Sequence, residues 1–113
     1  MNKNITTLSE ELKKVGGKEY FIYWAAKEYK VQVSTVRTNY ITRGEVAEKR
    51  GFLDRFIKDM QNCIILVKEK WAYFLLLNSL TQKEFDDKPE KESKKIFREF
   101  KASLMKEFEE TKG

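Results

Sequence analysis

Near the C-terminal end, Phe97, Phe100, Leu104 and Phe108 follow one another at spacings of three, four and four, with Ile96 and Met105 beside them. That is the period of one helical face, and charged residues fill the other faces. Asp87 is placed to cap such a helix, Pro89 suits its first turn, and Glu90 can pair with Lys94 one turn on. The pattern predicts an amphipathic helix of roughly five or six turns. A stripe this apolar must leave water, either by folding back on the chain's own core or by pairing with the same helix of a second copy. Pairing is the expectation, because the upstream segments already supply enough apolar side chains for one small core. Residues 88–113 then form a dimerisation element carried by Phe97, Phe100, Leu104 and Phe108, and residues 1–87 form the domain it serves.

The upstream segments read in short periods too. Thr7-Leu8-Ser9-Glu10 has the form of a capping box, and Leu8, Leu12 and Val15 fall on one face after it. Gly16-Gly17 ends that helix. A second helix from Lys18 carries Ile22, Ala25, Ala26 and Tyr29 on one stripe. Its other sides hold Tyr20, Phe21, Tyr23 and Trp24, so burial on more than one face is expected. A third helix, from about residue 33 to 41, groups Val33, Val36 and Tyr40; a fourth, from Glu45, carries Val46, Ala47, Phe52, Phe56, Ile57 and Met60.

Residues 62–78 admit two forms. The runs 63–67 and 71–77 are rich in β-branched and aromatic side chains and flank a charged tripeptide, which suggests a β-hairpin. Met60, Ile64, Val67, Trp71, Phe74 and Asn78 also fit helical spacing, and the connector Lys68-Glu69-Lys70 contains no Gly, Asn or Asp. The hairpin is the expected form and the helix stays open. Residues 78–88 are polar and read as a loop.

Composition narrows the function. A chain of 113 residues has room for one domain, and 41% hydrophobic residues are too many for a disordered one. It has no histidine, which removes the commonest general base and metal ligand. One cysteine, Cys63, can form neither an internal disulfide nor a zinc site, and its apolar neighbours Ile64 and Ile65 suit a buried thiol better than a nucleophile. Gly16-Gly17 lacks the Lys-Ser/Thr of a phosphate loop, and the acidic pairs Glu10-Glu11, Asp86-Asp87 and Glu109-Glu110 read as solvated helix positions. The expectation is a protein that is not an enzyme and takes no cofactor and no metal. The most apolar stretch, residues 63–77, is broken by charge in its middle, and no signal-like segment opens the chain. A cytoplasmic protein without a membrane partner is expected. The formal net charge is +5, and residues 1–60 carry 12 basic against 8 acidic side chains while the remainder carries 11 against 10. A positive excess in the first half favours polyanions.

Within that half, residues 25–38 (AAKEYKVQVSTVRT) resemble the helix-turn-helix of bacterial repressors, including the lac-repressor type. Ala26 stands where the motif needs a small residue in its first helix, Val31 where an apolar residue plugs the angle, and Val36 where the second helix packs back. The motif usually has Gly at the turn; this chain has Lys30, which can take the left-handed conformation only at some cost. A second, overlapping match uses Ala47, Gly51, Phe52 and Ile57, with the turn Gly present. Its second helix would expose Asp54, Arg55, Lys58 and Asp59, and two carboxylates there suit phosphate poorly. Placed just before a hairpin, it is similar to winged helix-turn-helix regulators, in which the hairpin is the wing and a C-terminal helix often builds the dimer.

The resemblance implies a mainly α fold with a winged-helix-like core, a β-hairpin and a long C-terminal helix. It implies sequence-specific binding of duplex DNA by a homodimer, as a transcriptional regulator or a replication or partition factor. Gln32, Ser34, Thr35, Arg37 and Thr38 would read base edges. Lys27, Lys30 and Arg43 would contact phosphate, Lys68 and Lys70 would sit at the wing tip, and Arg50 and Arg55 would serve if the second match is the reader. The alternative is an adaptor or inhibitor that binds protein through its aromatic surplus and has no nucleic acid partner.

Overall fold

The computed structural model describes residues 3–46 and 51–110, and these are mainly helical, with no strand among them. In chain order they form α1 (Lys3–Val15), α2 (Lys18–Tyr29), a π-helical segment (Thr35–Thr42), α3 (Phe52–Leu77), α4 (Gln82–Asp86) and α5 (Glu90–Glu110).

α1 starts earlier than its expected capping box. Ile5 extends the apolar stripe one turn upstream, so Ile5, Leu8, Leu12 and Val15 share the inward face and Thr7 is an exposed mid-helix residue. The Gly pair ends the helix as expected: Gly16 takes φ +84, and the Gly17 N–H donates to the Leu12 carbonyl at 2.8 Å. A Cβ at Gly17 would lie 2.7 Å from Val67 Cγ2, so this turn rests directly on α3. α2 is buried on several sides, as its ring of apolar residues requires. Phe21, Ile22 and Ala25 are wholly inside, and the Phe21 ring meets Phe56 edge-on at 5.6 Å.

The hairpin is not formed. Residues 62–77 belong to one 26-residue helix, α3, so neither the wing nor the winged-helix core expected around it is found. Met60, Ile64, Val67, Trp71 and Phe74 recur at four, three, four and three; α3 lies against α1, and Trp71 and Phe74 meet Phe100 of α5. Burial of this face outweighs the local strand preference of Ile64, Ile65 and Val67. The connector Lys68-Glu69-Lys70 offers no turn residue and simply continues the helix. The fourth helix does not begin at Glu45 either; Glu45 and Val46 are irregular, and α3 starts at Phe52 after Gly51, which has φ +79.

The expected loop at 78–88 contains α4. Thr81 accepts from the Glu84 N–H at 3.1 Å while Glu84 accepts from the Thr81 N–H at 3.2 Å, a reciprocal cap. Asp87 closes α4 instead of opening α5. α5 runs over the predicted residues, with the Lys94–Glu90 pair at 2.8 Å holding the Glu90 carboxyl below its usual range.

The stripe on α5 is used inside the chain. Phe100 and Leu104 are buried, and Phe97 and Phe108 are partly so. Trp71 is the hinge of this packing: its ring lies edge-on to Phe100 at 5.0 Å and to Phe85 at 4.9 Å, and its N–H donates to Gln82 Oε1 at 2.8 Å. Phe108 packs on Tyr20 at 5.3 Å, and the Tyr20 hydroxyl donates to Glu107 at 2.8 Å. Thus the face expected to pair with a second copy takes the other route, back onto its own core. The upstream elements did not suffice for that core, because α3 is a long helix and not a compact hairpin, and α5 covers Trp71 and Phe74 on the continuation of its inner face.

Candidate nucleic-acid interface

The first helix-turn-helix match folds as a helical hairpin. α2 ends at Tyr29, and Lys30 takes φ 58, ψ 45, the left-handed conformation that Gly usually supplies at this turn. Its N–H and that of Val31 both point back to the Ala26 carbonyl, the latter at 3.0 Å. Ala26 is buried at the angle, Val31 is half-buried beneath the turn, and Val36 is wholly buried from the second element. All three positions are thus turned at least partly inward.

The second element departs from the α-helix. Residues 35–42 form i→i+5 turns, continued by the Arg43 N–H to the Thr38 carbonyl at 2.9 Å. This wider winding carries residues four and five apart to one side, so Val36, Tyr40 and Ile41 are buried together. Tyr40 then meets Phe52 at 6.0 Å and Phe56 at 5.6 Å, which seats the hairpin on the start of α3. Tyr29 completes the seat: its hydroxyl donates to Asp59 at 2.5 Å, and its ring lies 5.1 Å from Phe52. Burial first, and then the bond to Asp59, push its phenol well above the ordinary range.

Of the expected base readers, Gln32, Ser34 and Thr38 are exposed, while Thr35 is half-buried. Arg37 is not free; its guanidinium is bound to Glu19 on the first turn of α2. The Thr42 hydroxyl, which the motif did not single out, donates to the Arg37 carbonyl at 3.0 Å. Lys27, Lys30 and Arg43 are exposed and make no ion pair among the described residues. Two carboxylates of α2 are engaged: Glu19 by Arg37, and Glu28 by Arg55 at 3.5 Å.

Among the described residues, those of the second match and of the wing do not join this surface. Ala47 and Arg50 lie outside the described residues. Arg55 is held over the Tyr29 ring at 5.2 Å and pairs with Asp59 at 3.7 Å, so it braces the hairpin from below. Lys68 and Lys70 lie on α3, roughly 24 and 27 Å along the helix axis from Phe52 at 1.5 Å per residue. They are side positions on a rod and not the tip of a wing.

Burial pushes the Cys63 thiol up to about 12, so it is protonated and inert at neutral pH. Among the described residues no group of three or more His, Cys, Asp or Glu side chains is placed to hold a metal ion, and no helix is long and apolar enough to cross a membrane. Compared with known proteins, the chain matches no family model, no curated protein and no solved structure.

Proposed function

We propose that this chain binds duplex DNA sequence-specifically through the α2–turn–π-helix hairpin, as a transcriptional regulator or a replication or partition factor. One observation carries the reading. The hairpin turns Gln32, Ser34 and Thr38 outward between cations that make no ion pair among the described residues, Lys27 and Lys30 before them and Arg43 after them, while neighbouring Glu19 and Glu28 are neutralised by arginines. Short hydrogen-bonding side chains flanked by cations match the division of labour at a duplex, where cations take phosphates and amide or hydroxyl groups take base edges.

Gln32 suits an adenine edge, and Ser34 and Thr38 suit either base type. Arg37 joins the reader only by leaving Glu19. The π-helical winding makes the second element short and broad, so its eight residues span less of a groove than eight residues of α-helix would.

Selection from random duplexes on purified protein tests this reading. A recurring sequence should emerge, Gln32→Ala should change that sequence, and Arg43→Ala should weaken binding to all sequences alike. Enrichment of no sequence, with no retention on heparin, would leave the protein-binding alternative, which draws on the apolar outer face of α3.

A further inference from the structure

α3 is apolar on opposite sides. One side, with Phe56, Met60, Cys63, Ile64 and Val67, is buried in the core. At 100° per residue the opposite side of the C-terminal half carries Ile65, Leu66, Glu69, Tyr73, Leu76 and Leu77. Ile65, Tyr73, Leu76 and Leu77 are 57–71% exposed, and Leu66 is 39% exposed. The same side of the N-terminal half instead carries Arg55, Lys58, Asp59 and Asn62, as a solvated face should. A helix that is apolar all round is normally covered all round.

The surface totals agree. A folded monomer of 13.5 kDa exposes about 6,500 Å², whereas this chain exposes 8019 Å². Its radius of gyration is 15.3 Å, against about 13 Å for a compact domain of this length.

We propose that the outer face of α3 is a homodimer interface, in which two copies of the helix cross antiparallel about a two-fold axis near Trp71. The stripe is self-complementary in that sense only. With residue 71 at the axis, Ile65 faces Leu77, Leu66 faces Leu76, and Glu69 faces Tyr73 of the second copy. The one carboxylate in the stripe thereby meets a phenol that can donate to it. A parallel pairing would set Glu69 against Glu69 in an apolar interface, which costs charge repulsion and desolvation. The five exposed apolar side chains leave on the order of 500 Å² in water per copy, so pairing covers about 1,000 Å² or more, the threshold of a specific interface. This dimer does not depend on DNA binding, and its test uses no DNA.

Sedimentation at about 50 µM, above the micromolar dissociation constants of modest interfaces, should give twice the 13.5 kDa chain mass. Ile65→Asp/Leu76→Asp should sediment as a monomer with its helical circular dichroism intact, since both residues already face water. Register is read separately with a short bismaleimide. An equimolar mixture of Ile65→Cys and Leu77→Cys chains should cross-link to each other, and neither should cross-link to itself. A wild-type monomer, a dimer that survives the double substitution, or self-cross-linking of Ile65→Cys would each overturn the proposal.

Discussion

The guanidinium of Arg37 is bound to the carboxylate of Glu19, tying the π-helical segment to the first turn of α2. Both side chains are about half exposed, so the pair contributes at most about 1 kcal/mol to stability. Arg37 is thus held back from the surface by a weak latch. Glu19→Gln should leave the melting transition nearly unchanged and tighten duplex binding by about two- to fivefold, by freeing the arginine and removing a negative charge. Arg37→Ala should lower affinity in the Glu19→Gln background more than in the wild type. Equal losses in both, measured by fluorescence anisotropy, would show that the latch does not govern Arg37.

Lys30 separates stability from binding. Its left-handed backbone costs an L residue about 1 kcal/mol or more, a cost that Gly does not bear. Lys30→Gly should raise stability to chemical denaturation by about 0.5–1 kcal/mol and at the same time weaken duplex binding without changing the preferred sequence. If both quantities fall, the turn is not strained as its geometry implies.

The local periods were legible in the sequence, and their partners were not. Ala26, Val31 and Val36 stand where the resemblance to a helix-turn-helix implies packing positions, and they face inward. The run 74–77 (FLLL) has no such single meaning. Four consecutive apolar residues suggest a strand, or a helix covered on two sides, and local preference favours the strand. What decided for the helix was Trp71 reaching Gln82, Phe85 and Phe100, contacts that lie 11, 14 and 29 positions away. The Glu19–Arg37 pair, 18 residues apart, left no local signal at all. The π-helical winding was hidden for a similar reason, since Val36 and Tyr40 fit an α-helix and only the added burial of Ile41 requires the wider turn.

The fold-back of α5 has a direct consequence for stability. Phe100 is wholly buried between Trp71 and Phe74. Phe100→Ala should cost about 3–5 kcal/mol, and Phe100→Asp/Leu104→Asp should unfold the chain. A folded, merely monomeric double variant by circular dichroism and sedimentation would show that α5 belongs to an interface between copies. Where the turn after α1 rests on α3, Gly17→Ala should cost about 1–3 kcal/mol, because its Cβ would meet Val67 Cγ2 at 2.7 Å.

Alkaline pH should unfold the protein in a defined direction. Burial raises the Cys63 thiol from 9.0 to about 12, and burial with a carboxylate partner raises the phenols of Tyr20 and Tyr29 above their ordinary value of 10.0. A raised value in the folded state means that the unfolded state loses its proton first. The stability these groups contribute is therefore complete below about pH 9 and is lost progressively from there to pH 12 and above. Denaturant midpoints measured across that range should fall, and Tyr29→Phe should flatten the decline. A stability that rises with pH above 9 would contradict the burial of these groups.

The salt dependence of duplex binding tests the central claim most directly. If Lys27, Lys30 and Arg43 each neutralise a phosphate, the logarithm of the association constant should fall with the logarithm of salt concentration at a slope of about −3, near −0.9 for each contact. Replacing any one of the three by alanine should lower that slope by about one, on the selected duplex and on a random one. A flat dependence, or a slope unchanged when all three are replaced, would contradict DNA recognition by this hairpin.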